Sequence, residues 1–243
     1  MKRFLLITTL LVAHYIACSQ IPADSIKAII KREVANKRSK SIVVGIIDAS
    51  GRQIYSEGIV SDQKPVHPDG NTVYEIGFIT KVFASVLLAE MSLKHQLNLT
   101  DPISKYLPAS VKSPVRNGRE ITLLSLSTHR SGMPRFPYNP YPKDIDNPYA
   151  DYTEETLFAY VSGFQPDYDF DTRWRYSNVA YGLLGNILSR IAKKDFESIT
   201  LETICRPLNM RWTAISTKQM IANMAKGHAV TGEPTVSLEL GAL

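Results

Sequence analysis

Lys81 stands near the start of a strongly apolar stretch, three residues after Phe78, in the run Tyr74-Glu75-Ile76-Gly77-Phe78-Ile79-Thr80-Lys81. On a helix a three-residue offset puts two side chains side by side. An amine held beside a hydroxyl at such a place could take or relay its proton, but Phe78 offers no hydroxyl. A second group of chemically able side chains lies far along the chain, at Tyr176-Ser177-Asn178. Taken singly, neither group says much: a lone lysine is ordinarily solvated, and a lone Tyr-Ser-Asn is ordinarily a turn with a packed tyrosine. Metal chemistry has less to work with, because no Cys/His cluster has ligand spacing. Cys205, beside Ile204 and Leu208, reads as a small core filler rather than a reactive thiol.

The elements around these residues follow from periodicity. The basic stretch Lys27 to Lys40 also carries Ala28, Ile29, Ile30, Val34 and Ala35, the pattern of an amphipathic surface helix. Ser41 to Ile47 and Gln53 to Ile59 are β-rich and flank the turn residues Asp48-Ala49-Ser50-Gly51, which predicts a hairpin. A loop with Pro65, Pro68 and Gly70 leads to a helix starting near Phe78, with Val82, Phe83, Val86, Leu87 and Met91 at helical spacing. Leu97 to Pro108 reads as a loop and short helix, and Thr122 to Leu126 as a helical turn ending before Ser131-Gly132-Met133-Pro134. Further helices are expected at Glu154–Val161, Val179–Ala192 and Phe196–Cys205. Between them, Arg135 to Tyr152 is rich in proline and tyrosine and has no periodicity, the mark of a functional or mobile loop. There is no internal repeat and no interdomain linker.

The first run resembles the Ser-x-x-Lys motif of class C β-lactamases, DD-peptidases and related esterases, a family of penicillin-recognising serine hydrolases. Further landmarks fall in the family's order. They are Leu99-Thr100-Asp101-Pro102-Ile103-Ser104-Lys105-Tyr106-Leu107-Pro108, then Ile121 to Pro134 with His129-Arg130-Ser131-Gly132, then Arg173-Trp174-Arg175-Tyr176-Ser177-Asn178 with Tyr181-Gly182-Leu183-Leu184-Gly185. Arg206-Pro207-Leu208-Asn209-Met210 and Ala225-Lys226-Gly227-His228 close the series. The resemblance implies an α/β fold of the α+β kind, a helical subdomain beside an antiparallel sheet, over roughly residues 22 to 243. It implies acyl transfer to water through an acyl-enzyme, with a β-lactam, a D-Ala-D-Ala peptide or a small ester as substrate and no metal or cofactor. Residue by residue, Lys81 takes the place of the motif lysine. Tyr176 takes that of the tyrosine that shares protons with it, and Asn178 that of the group that binds the acyl amide. A tyrosine with lowered pKa between two cations would serve as base. Arg173, Trp174 and Arg175 are expected to pack and support.

The pattern then breaks at its centre. Phe78 occupies the nucleophile position, and a benzyl group can neither attack a carbonyl nor give up a proton. Thr80 points about 200° around the helix from that position, and Ser85 lies two turns on, so neither is expected to replace it. The family's third motif, Lys/His-Thr/Ser-Gly, has only Val230-Thr231-Gly232 as a counterpart, which follows Ala225-Lys226-Gly227-His228 too closely and reads as a loop turn. The C-terminal strands of the fold are therefore expected to be missing, leaving the hairpin with exposed edges and poor stability. Smaller departures are Phe170-Asp171 for Pro-Gly, Asn209 for Gly, and Arg130 for a small or polar residue. Together these read as a decayed or incompletely represented gene.

The ends and the charge complete the reading. Lys2 and Arg3, the apolar run Phe4 to Val12 and the small residues Ala17, Cys18 and Ser19 form the pattern of a secretory signal over residues 1 to 19, too short for a comfortable membrane span. Cleavage after Ser19 would release a soluble protein. Ile16-Ala17-Cys18 alternatively resembles a lipobox that would put a lipid on Cys18, the one membrane attachment expected. The net charge of +5 is dispersed, with no basic-aromatic array, so no nucleic-acid partner is expected. The reading is thus an exported, monomeric member of the hydrolase family that is inactive because of Phe78. The alternative is a non-catalytic protein that binds peptidoglycan or a partner.

Overall fold

The computed structural model describes residues 22 to 243 except 50, 64, 140, 217 to 219, 230, 238 to 241 and 243. The expected export signal, with Cys18, lies outside the described residues. The chain divides into two compact units, one running to Tyr74 and including Ala222–Thr235, the other comprising Glu75–Ile221 with Val236–Leu243. No helix among the described residues is long and apolar enough to cross a membrane.

In the first unit helix α1 (Ala23–Ala35) buries Ile26 and Ile30, leaves its lysines in water and packs on strand β2. Ile29, counted above with the apolar face, is exposed, because it points away from the strand that the helix covers. The predicted hairpin is present: β1 (Ser41–Asp48) pairs antiparallel with β2 (Gly51–Gly58), with Val44 opposite Tyr55 and Asp48 opposite Gly51. Gly58 ends the hairpin at φ +94°, where a β-carbon would stand 2.0 Å from the Lys40 carbonyl oxygen. No larger side chain fits there. Ala225 donates its N–H to Val73 (2.8 Å), and Lys226 donates to Val60 (2.9 Å), so the last landmark is tied by backbone to residues before the second unit. Thr231 and Gly232 sit in a turn closed by the Gly232 N–H on the Ala229 carbonyl at 2.9 Å, as expected for a loop turn; Val230 lies outside the described residues.

The second unit is helical. Its elements are α2 (Thr80–Leu93), a two-residue hairpin β3 (Val115–Arg116) and β4 (Arg119–Glu120), α3 (Leu123–Ser127), α4 (Glu154–Gly163), α5 (Asn178–Ala192) and α6 (Phe196–Thr200). The β3–β4 hairpin was not legible in the sequence, since two-residue strands carry no alternation. The helix expected at Phe196–Cys205 is regular only to Thr200 and widens to π geometry over Leu201–Cys205. Residues 135 to 152 form no helix or strand where described.

Four of these helices open on a side chain that accepts a backbone N–H. Thr122 receives Ser125, Thr153 receives Thr156, Ser177 receives Ala180 and Asp195 receives Ser198. Such caps satisfy one of the donors that every helix N-terminus leaves unpaired. Helix α2 has none and begins instead from a 3₁₀ turn, Gly77–Ile79, entered by Gly77 at φ +51°. The core gathers around the fully buried α5 residues Val179, Leu183 and Ile187, with Leu87 from α2, Leu126 from α3 and Leu157 from α4. On α2 the buried positions are Ala84, Leu87, Leu88 and Met91. Val82, placed with the apolar face above, is 59% exposed, and Val86 is exposed too. Helix α2 is apolar on more sides than its core contact uses, so periodicity overstated the buried face.

Two of the family departures fall on left-handed backbone. Asp171 has φ +66° and Asn209 φ +55°, the conformation that glycine takes without strain. Asp171 is secured there by its side chain, which accepts from the buried Ser125 hydroxyl at 2.8 Å, and by paired contacts with Arg130. Arg130 is therefore accommodated by its own hydrogen bond to the Asp171 carbonyl (3.1 Å).

Ser177 joins the cap to the loop. Its buried hydroxyl accepts from Ala180 at 2.9 Å and donates to the Pro134 carbonyl at 2.7 Å. Ser177→Ala removes the cap and leaves that carbonyl without its donor, which should lower unfolding free energy by about 2 kcal/mol. Urea denaturation checks this, and a loss under about 0.5 kcal/mol would mean the bond contributes little.

Candidate active site

A short segment carries the site's second half. Arg175 donates its backbone N–H to the His129 carbonyl (2.8 Å), Ser177 donates to His129 Nδ1 (3.1 Å), and Asn178 donates to the Arg135 carbonyl (3.0 Å). With the Ser177 hydroxyl on Pro134, these bonds lace residues 175 to 178 onto residues 129 to 135. His129 takes φ +58° to do so. Tyr176 is thereby presented outward at the start of α5, and Asn178 is turned inward, 3% exposed.

All four sequence-predicted residues meet. Lys81, half-buried on the first turn of α2, donates from Nζ to Asn178 Oδ1 at 2.8 Å. Its ammonium lies 4.4 Å from the centroid of the Phe78 ring and 5.0 Å from that of Tyr176. Phe78 and Tyr176 meet edge to face, with centroids 5.8 Å apart and planes at 72°. Phe78 is 45% exposed, so its ring lies at the mouth of the site rather than in the core. The contact between Lys81 and Phe78 is thus a cation–π one.

The electrostatics correct one expectation. The Tyr176 phenol is not lowered but raised, chiefly by burial; Arg135 pulls it down and Tyr181 pushes it up, and burial prevails. The cations stand against the face of the ring and make no hydrogen bond to its oxygen, so they favour the phenolate little. Lys81 is the group shifted toward neutrality, from 10.5 to about 8, through burial and then the like charge of Arg135. Of the two, the amine is the one more readily present as free base.

Three residues join the site that sequence reasoning gave no role. His129 packs against Tyr176 (centroids 4.6 Å) and Tyr181 (5.0 Å), and burial and Lys81 lower its pKa. Arg135 stands 5.8 Å from the Phe78 and Tyr176 centroids. Tyr181 donates to the Ser127 carbonyl at 2.7 Å and so takes the Ser85 hydroxyl proton at 2.9 Å. His129 and Tyr181 sat inside matched landmarks, which was the available signal. Arg135 opens the aperiodic loop and had none. Ser85 shares a groove with Lys81, but its proton is directed at a phenol that is already donating, so it has no base. Arg175 supports the segment through the Gly132 carbonyl (3.3 Å) and Asp167 (3.4 Å), and Arg173 lies over Tyr168. Trp174, expected to pack, is 66% exposed and meets only the rings of His129, edge to face, and Tyr176, with centroids 6.3 Å apart, because the laced segment turns it to the surface.

Comparison with known proteins bears on this geometry. The family model described as Beta-lactamase matches residues 26–235. The D-alanyl-D-alanine-carboxypeptidase/endopeptidase AmpH of Escherichia coli K12 is 31% identical over 168 residues, 69% of this chain and 43% of that protein. A β-lactamase of Providencia stuartii is 28% identical over 220 residues, 89% of this chain and 53% of that one. The chain spans about half the length of the curated relatives it matches. Among solved structures, a class C β-lactamase in complex with cefoxitin superposes with TM-score 0.74 at 26% identity, over 90% of this chain and 59% of that one. The β-lactamase/D-alanine carboxypeptidase of Yersinia pestis does so with TM-score 0.75 at 24% identity, over 91% and 64%. The fold is thus the β-lactamase/transpeptidase-like one.

The Lys81 shift makes a checkable statement. Its folded pKa lies below the unfolded value, so the unfolded chain holds this proton longer, and Lys81 makes stability rise as pH climbs from about 8 toward 10.5. Lysine side-chain NMR, assigned with a Lys81→Met chain, should show one midpoint near 8, and Arg135→Ala should raise it. A midpoint near 10.5 in the parent chain would overturn the assignment.

Proposed function

The chain belongs to the β-lactamase family, and from that premise we propose that it keeps the family's acyl-recognition pocket but forms no acyl-enzyme, because Phe78 stands where the nucleophilic serine belongs. The observation that carries the reading is the Phe78 ring 4.4 Å from the Lys81 ammonium. The amine that should take the nucleophile's proton faces an aromatic surface with no proton to give. In subtilisin, loss of the serine lowers kcat by about 2 × 10⁶, and a deficit of that order makes hydrolysis by this chain negligible. Ser85 offers no substitute, since its proton is held by Tyr181.

The ligands the pocket would admit are those of its relatives' chemistry: a β-lactam, a peptide ending in D-Ala-D-Ala, or a small ester. Asn178 would face the acyl amide, and Tyr176 the leaving group. We read the chain as exported, on the strength of the charged, apolar and small-residue order of its first residues, with Cys18 as the lipid site if it is anchored.

Intact-protein mass spectrometry after exposure to a reactive penicillin tests this, with Phe78→Ser in parallel. The expected result is no adduct on the parent chain and a covalent penicilloyl mass on Phe78→Ser. An adduct on the parent chain would reveal another nucleophile and sink the reading. If neither chain is acylated, more than a hydroxyl is lacking, and the claim that the recognition pocket is kept fails.

A further inference from the structure

The site is built almost wholly of donors. Lys81 has three N–H bonds and gives one to Asn178. Arg135 has five and, among the described residues, neither a hydrogen-bond acceptor nor a carboxylate partner; its contacts are the rings of Phe78, Phe136 and Tyr176. Asn178 Nδ2 is buried without an acceptor, on the same amide whose oxygen holds Lys81. His129 accepts the Ser177 N–H at Nδ1, so its neutral ring carries the remaining proton on Nε2, a further donor. Aromatic faces steady the two cations but leave both formal charges in place. Buried polar groups are ordinarily paired, and two cations sharing the same rings with no acid among the described groups form a site that wants an anion.

We propose that this pocket holds a small carboxylate between Lys81 and Arg135, bound and not acylated. An acceptor-only, negatively charged group suits a site of donors, and a carboxylate matches the planar fork of a guanidinium. The inference rests on the reading above in one respect: the pocket takes a ligand without consuming it. Arg135 is then the specificity-determining residue, and Phe78 the ring against which both cations are positioned. Asp167 pairs with Arg175, and Asp169 and Asp171 with Arg116 and Arg119, so these nearby carboxylates are already engaged.

Calorimetric titration of the full chain with N-acetyl-D-alanine, and with its neutral C-terminal amide, tests the idea. Saturable binding of the acid, at least tenfold weaker binding of the amide, and a loss of about tenfold on Arg135→Ala are expected. Lysine NMR should show the acid raising the Lys81 midpoint above about 8, which a merely structural arginine would not produce. Competition by inorganic phosphate as strong as by the acid would show a general oxyanion site and overturn the carboxylate assignment. Equal binding of acid and amide, or binding indifferent to Arg135→Ala, would overturn the site. So would no saturable binding to the parent chain. Mass spectra of the same samples keep the two claims apart: absent binding without an adduct sinks only this inference, and a penicillin adduct sinks the non-acylating reading and the clause resting on it, while the titrations still decide the carboxylate site.

Discussion

The bond from the Lys81 ammonium to the Asn178 carbonyl is the contact on which the site depends. It joins the first turn of α2 to the first residue of α5, two helices that also share the core through Leu87 and Leu183. A half-buried ammonium is tolerated only if hydrogen bonds or aromatic faces answer it. Asn178 supplies the one, and Phe78, Tyr176 and Tyr181 the other. The lacing of residues 175 to 178 onto residues 129 to 135 exists, in structural terms, to keep Asn178 aimed inward.

Phe78 changes what this arrangement does without undoing it. Its ring stands at cation–π range of both Lys81 and Arg135. The lysine is still desolvated and still shifted toward neutrality. On the reading proposed above, the same desolvated donors, with no acid among the described groups, favour an anion in place of proton transfer.

Several departures from the family pattern proved to be local and compensated. Asp171 and Asn209 both adopt the left-handed backbone that a glycine would take, and Asp171 recovers its strain through Ser125 and Arg130. Phe78 differs in kind, because what it brings to Lys81 is a ring face, and no backbone bond can turn that into a hydroxyl.

What the sequence by itself determined was whatever rests on short range. The hairpin from its turn residues, the helices from their periodicity, the order of landmarks and the absence of a hydroxyl at position 78 were all legible, because each is a property of neighbours along the chain. The tertiary structure alone decided which distant groups meet. It brought Arg135 to Phe78 and Tyr176 from an aperiodic loop that leaves no pattern in sequence, and set His129 against Tyr176 from a left-handed turn whose landmark gave it no role. It set the Tyr176 phenol higher rather than lower, since burial outweighs the pull of Arg135 and burial is decided by packing. It also left Val82 and Val86 in water on a helix whose period had placed them inside. Periodicity reports that a helix has an apolar face; only packing reports which part of that face finds a neighbour.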